Sequence, residues 1–313
     1  MLRSIDYKYG SRAGLTHEGD ERDGEVKPAA FKYQRVNKVD EAIEQLAELG
    51  DDAKLLAGGQ SLVPMMNFRL VRPSALVDIL GIPDLQYIES YDGGGLKIGA
   101  LTPHRWIEVM EEPDLLEGFS VLKRAARWVG HYPIRTLGTF GGSIAHADPS
   151  AEWCMLAMLL DAEIVAVGPE GERVIPASAF FCGFFMTALE PDEMIVEVRF
   201  AKPAPHAAMQ EFARRAGDFA ITSAAVALDI RDGECRSARI VLGGVADVPL
   251  RISEAERVLE GVEPNQEAFE EAGQEAAKVI DPPSDVQGTA QYRRDLSAVL
   301  IRRALMEAAS NDE

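Results

Sequence analysis

Two short glycine-rich stretches, Ala57-Gly58-Gly59-Gln60-Ser61 and Thr139-Phe140-Gly141-Gly142-Ser143, constrain the fold of this chain more than any other feature. Each follows an apolar stretch and precedes a helix-compatible one. The backbone must turn tightly there, and consecutive N–H groups are left unshielded by side chains. With a serine hydroxyl behind each, such a loop suits an anion. Two of them, far apart in sequence, can converge on the two phosphates of one dinucleotide. Composition supplies the other reading. With 27 glycines in 313 residues, chance alone gives about two Gly-Gly pairs, so each loop is either a structural turn or a phosphate site. Gly93-Gly94-Gly95 reads as a hairpin turn.

The charge balance narrows the partners. Lys and Arg number 32 against 51 Asp and Glu, a net charge of −19, which argues against nonspecific nucleic-acid binding. No apolar run is long enough to span a bilayer, and the N-terminus lacks the apolar core of a signal peptide, so a soluble intracellular protein is expected. Cys154, Cys182 and Cys235 are too few and too scattered for a disulfide framework or a four-thiolate cluster. His146-Ala147-Asp148 is too sparse for a metal site. Redox work by this chain therefore needs an organic cofactor.

Along the chain, residues 1–27 read as a charged arm without periodicity. From Phe31 the pattern is that of a small βαβ-like unit. Asp40 is expected as an N-cap, Ile43, Leu46 and Ala47 share a helical face, Gly50 ends the helix, and Lys54-Leu55-Leu56 is a strand entering the first loop. Helices are expected near Thr102–Trp106 and over Val121–Val129, and a helix buried on all sides over Trp153–Leu160. Strands follow at Glu163–Val167, Arg173–Ile175 and Met194–Phe200, the last with Val196, Val198 and Phe200 opposed to Glu197 and Arg199. Lys202-Pro203-Ala204-Pro205 marks a boundary. Beyond it two hairpin strands, Ser223–Asp229 and Ala238–Leu242, and three amphipathic helices make a smaller α/β C-terminal domain. The expected class is α+β, a two-part domain over 28–204 (the βαβ-like unit plus a mostly antiparallel sheet with helices) followed by 205–313.

The usual nucleotide and hydrolase motifs are absent. There is no Gly-x-x-x-x-Gly-Lys-Ser/Thr loop, no Gly-x-Gly-x-x-Gly fingerprint and no Gly-x-Ser-x-Gly elbow. What remains is binding of a large phosphorylated ligand.

Four ordered motifs resemble one family. Ala57-Gly58-Gly59-Gln60-Ser61-Leu62-Val63-Pro64-Met65-Met66, Gly138-Thr139-Phe140-Gly141-Gly142-Ser143-Ile144-Ala145-His146-Ala147-Asp148-Pro149, Arg214-Arg215-Ala216-Gly217-Asp218-Phe219-Ala220 and Gly243-Gly244-Val245-Ala246 are similar to signatures of the FAD-binding medium subunits of molybdenum hydroxylases, the xanthine dehydrogenase and aerobic carbon monoxide dehydrogenase medium-subunit family. The resemblance covers about residues 29 to 310, and its nearest likeness is to carbon monoxide dehydrogenase. It implies that the loops Ala57–Ser61 and Thr139–Ser143 hold the FAD pyrophosphate. Glu152 then holds ribose hydroxyls, its other reading being a carboxylate favoured by a helix N-terminus. Asp218 and Phe219 come near the flavin ring; some relatives carry Tyr in place of Phe219, whose other reading is a core residue. The family also implies a large partner with a molybdenum-pterin cofactor and a small partner with 2Fe-2S clusters, arranged as a dimer of heterotrimers. Electrons pass to an acceptor such as a quinone, and the complex lies in the cytoplasm or at the inner face of the membrane. No side chain here acts as a catalytic acid or base, and none binds metal. A stand-alone flavin oxidoreductase and a non-catalytic assembly factor of the same fold are the alternatives.

Overall fold

The structure is a computed structural model that describes residues 28–110 and 118–311; the arm expected over 1–27 lies outside the described residues. The first unit runs β1 (Lys32–Arg35), α1 (Val39–Leu49), β2 (Ala53–Leu56), α2 (Leu62–Asn67) and β3 (Ala75–Asp78), with strand order β1-β3-β2 and both pairings parallel. Helix α1 buries Ala42, Ile43 and Leu46, and Gly50 closes it with φ +78 and an N–H bond to Leu46. Asp40 is not the N-cap. Lys38 holds that position and Asp40 falls in the first turn, where a carboxylate suits the helix dipole.

The second unit is a five-stranded antiparallel sheet. Its strands are β4 (Ile88–Tyr91), β5 (Gly95–Gly99), β6 (Glu163–Gly168), β7 (Gly171–Pro176) and, after the two-stranded hairpin β8–β9 (Phe181–Gly183, Met186–Thr187), β10 (Met194–Phe200), in the order β4-β5-β10-β6-β7. Gly93-Gly94-Gly95 lies in the β4–β5 hairpin as expected. The clean alternation expected along β10 is broken by a register shift between Ile195 and Glu197 against β6, which buries Glu197, where it accepts hydrogen bonds from Tyr87 and Arg199. The helices carried by this sheet are α3 (His104–Val109), α4 (Ser120–Ala125), α5 (Tyr132–Leu137), α6 (Phe140–His146), α7 (Glu152–Leu159) and α8 (Ala177–Phe180).

The C-terminal part holds four antiparallel strands, not two: β11 (Ala207–Phe212), β12 (Thr222–Arg231), β13 (Glu234–Gly243) and β14 (Leu250–Arg251). They are followed by α9 (Ser253–Leu259), α10 (Gln266–Val279) and α11 (Ala290–Ser310). The two-residue side-chain period splits this sheet into two buried faces. Ala207, Met209, Ala225, Ala227 and Val241 share a core with α7, whereas Ala208, Ala224, Val226, Ile240 and Leu242 pack with α9–α11. Helix α7 is apolar all round because it lies in the core of the five-stranded sheet on one side and meets β12 and β13 on the other. The class is α+β, as the sequence indicates.

Candidate cofactor site

Strand β2 runs directly into the first loop, and Gly59 turns it at φ +68 toward α2. Gly58 has no room for a side chain: a Cβ there would lie 2.1 Å from the Leu137 carbonyl oxygen and 2.7 Å from the Gly138 Cα. The first loop thus rests on the chain entering the second. The approach is mutual, since a Cβ on Gly142 would sit 3.7 Å from the Ala57 Cβ. Two loops distant in sequence therefore lie against one another. The backbone N–H groups from Ala57 to Ser61 donate to no described residue. The carbonyls are engaged, with Gln60 Nε2 donating to Gly58 O at 2.7 Å and the Val63 N–H to Gly59 O at 3.0 Å. Free donors beside a bare glycine face are what an anionic group needs.

The second loop differs from the expected row of free donors. Phe140 N–H donates to Thr102 O at 2.9 Å, Gly141 N–H to Ala100 O at 2.8 Å and Ser143 N–H to Thr139 O at 3.0 Å. Gly142 N–H donates to the capping Thr139 Oγ1 at 3.2 Å. Only the Thr139 N–H has no acceptor among the described residues. The cause is close packing, because a Cβ on Gly141 would lie 2.6 Å from the Ala100 Cβ, so the loop is fastened to the end of β5. Phe140 is fully buried, its ring 5.0 Å from that of Trp153. The second loop is a strut that sets Gly142 beside Ala57.

Glu152 occupies the first position of α7 and is 9% exposed. Burial, then the nearby Glu211 carboxyl, push its pKa up to about 8. Burial also raises Asp148, although the Ser150 N–H donates to it at 2.8 Å. Burial lowers His146, whose ring stacks on Phe185 at 4.7 Å. The buried Cys154 thiol, raised well above its ordinary value, donates to Ser143 O at 3.7 Å and is an inert tie between α7 and α6.

Asp218 and Phe219 lie in the loop between β11 and β12, both exposed. Phe219 is 63% exposed, which rules out a core role within this chain. Asp218 pairs with Arg215 at 3.6 Å. The neighbouring Gly217, at φ +85, abuts His131 just before α5. Sequence reasoning missed the anchors Ala100 and Thr102, and also His104. His104 Nδ1 accepts from Trp153 Nε1 at 3.0 Å, and burial drops its pKa to about 3, so it stays neutral beneath Gly138. The third glycine pair also belongs here: the Gly244 N–H donates to Pro149 O at 3.2 Å, just ahead of Glu152.

These residues fit a dinucleotide. Unpartnered N–H groups and a glycine face suit a pyrophosphate, and a buried carboxyl without a cation suits hydroxyl donors. Residues 29–203 match the FAD binding domain in molybdopterin dehydrogenase, and residues 207–308 the CO dehydrogenase flavoprotein C-terminal domain. The chain is 40% identical over 288 residues to the 6-hydroxypseudooxynicotine dehydrogenase complex subunit alpha of Paenarthrobacter nicotinovorans, covering 90% of this chain and 96% of that one. It is 35% identical over 283 residues to the carbon monoxide dehydrogenase medium chain of Hydrogenophaga pseudoflava, covering 90% and 98%. A solved structure of carbon monoxide dehydrogenase from that organism, lacking the Mo-pyranopterin moiety of its molybdenum cofactor, matches with a TM-score of 0.86 at 36% identity, covering 91% of this chain and 99% of that one. With both halves of the chain and the pairing of its glycine loops in agreement, the protein belongs to the FAD-binding medium subunits of the molybdenum hydroxylases and is an oxidoreductase subunit.

Proposed function

We propose that this chain receives electrons from 2Fe-2S clusters of a small partner subunit and passes them to an external acceptor such as a quinone, while a large partner with a molybdenum-pterin cofactor oxidises the substrate. The observation that carries the flavin-binding part of this reading is the run of unpartnered N–H groups from Ala57 to Ser61, with Gly142 set beside Ala57; the partners and electron path are supported by the similarity to subunits of dehydrogenase complexes. When bound, FAD supplies the exchange between one-electron and two-electron transfer. The first loop holds the pyrophosphate, Thr139–Ser143 shape the opposite wall, and Glu152 holds ribose hydroxyls. Asp218 and Phe219 border the flavin ring from the C-terminal domain, with no hydroxyl at Phe219 to hydrogen-bond it. No residue of this chain acts on the organic substrate. The complex is a dimer of heterotrimers in the cytoplasm, held at most peripherally at the membrane; among the described residues no helix is long and apolar enough to cross one. Because the relative acting on 6-hydroxypseudooxynicotine is 40% identical and the carbon monoxide dehydrogenase medium chain 35%, both substrate types belong in the first screen.

The test is native purification through a tag on the full chain, with metal and flavin analysis across the eluted peak. Molybdenum, iron and FAD co-eluting with two further subunits is the expected result. A chain that elutes alone, carries FAD and turns over a small reductant would instead establish a stand-alone flavin enzyme.

A further inference from the structure

Glu211 lies on β11 with Ala207 and Met209, on the face that packs toward α7. Its register partner on β12 is Ser223, whose hydroxyl lies 2.9 Å from Met155 Sδ. Met155 is one helical turn along α7 from Glu152, so the two carboxyls meet where the C-terminal sheet covers the start of α7. Neither is hydrogen-bonded to another side chain among the described residues, although the Glu152 carboxyl accepts from its own backbone N–H. Glu211 Oε2 is buried with no hydrogen bond, and the 9%-exposed Glu152 side chain receives no side-chain donor among the described residues. The other titratable groups facing the pair are Asp148, on the segment after α6, with His146 at the end of α6 behind it, and Cys154 on α7; among the described residues no cation offsets the carboxyls. A buried Glu211 oxygen without any donor, beside a Glu152 carboxyl served only by its own backbone N–H, suits a ligand that brings donors of its own. An anion would be repelled, and no group of three metal-ligating side chains exists among the described residues. Hydroxyl groups fit.

We propose that Glu152 and Glu211 form one subsite, built from both domains, that takes vicinal hydroxyls of the cofactor's sugar chain, the pair releasing a proton to solvent when the hydroxyls donate to it. This rests on the FAD reading and adds Glu211 to the binding residues. Burial places the Glu152 and Glu211 pKa values at about 8 and about 7. Hydroxyl donors favour the ionised pair, so FAD affinity rises with pH, by at most about tenfold per pH unit for one proton.

The experiment measures FAD affinity of the deflavinated complex from pH 6 to 8.5, with calorimetry in two buffers of different ionisation heat to count released protons. The wild type is expected to gain affinity severalfold with rising pH and to release close to one proton. Glu211→Gln should flatten that slope and abolish the release, and Glu152→Gln, approached from the other element, should do the same. FAD binding in which both variants keep the wild-type slope and proton count overturns the subsite alone. A wild-type complex that binds no FAD at any pH overturns the cofactor reading, and the subsite with it.

Discussion

Gly58 is the residue at which the two loops are fitted together. Its missing Cβ is required by backbone, not by a movable side chain, since the Leu137 carbonyl oxygen would lie 2.1 Å away. Gly58→Ala should therefore force the loops apart, destabilise the chain by about 1–3 kcal/mol as overpacking does, and lose retained FAD. Gly94→Ala is the matched control. Gly94 turns at φ +84 with nothing within 4 Å of a built Cβ, so the change should cost about 1–2 kcal/mol of backbone strain and leave FAD retention intact. Thermal denaturation together with flavin content after gel filtration reads both effects. Full flavin retention in Gly58→Ala would contradict the convergence of the loops on the cofactor.

Helix α7 gathers opposing titrations at one element. Burial raises Glu152 at its first turn to about 8 and the facing Glu211 to about 7, both from an ordinary 4.5. In that window the folded chain without cofactor binds protons that the unfolded chain has released, so the stabilisation is full below pH 4.5 and is lost as pH rises to 8. His104, bonded to Trp153 of the same helix, has the opposite sign. Its pKa is lowered from 6.5 to about 3, so its contribution is present above 6.5 and lost as pH falls toward 3. Between pH 8 and 6.5 only the carboxyls of this set act. The apo chain should gain melting temperature as pH is lowered through that range, and a Glu152→Gln, Glu211→Gln double variant should gain clearly less; an equal gain would remove these groups from the account. Elements whose cause is local were legible in the sequence. The periodic face of α1, the all-apolar α7 and the free N–H groups of the first loop each follow from neighbouring residues. The bulge in β10, the two-residue β14 and the Ala-rich β11 carry no such signal. In the second loop the Phe140 and Gly141 N–H groups are taken by Thr102 and Ala100, which only the tertiary fold brings there, while those of Gly142 and Ser143 go to Thr139 within the loop. Glu211 was invisible as a site residue because it meets Glu152 only through the packing of β11 and β12 on α7.

At the scale of the molecule, three sheets support the glycine loops and α7. The parallel unit supplies the first loop, the five-stranded sheet anchors the second through β5, and the C-terminal sheet closes over α7 on one face while α9–α11 cover the other. The C-terminal domain is fastened ahead of α7: the Gly244 N–H donates to Pro149 O, and the buried Arg293 donates to both Gly244 and Ile221 from α11. An assembly built this way has one central claim, that the paired glycine loops hold FAD. The most direct measurement is to purify the full-length chain with the subunits that accompany it, denature the sample, and identify and quantify the released small molecule by chromatography and mass. An amount of FAD equimolar with the chain is the result predicted. A preparation that releases no flavin and takes up none when FAD is added would contradict the account.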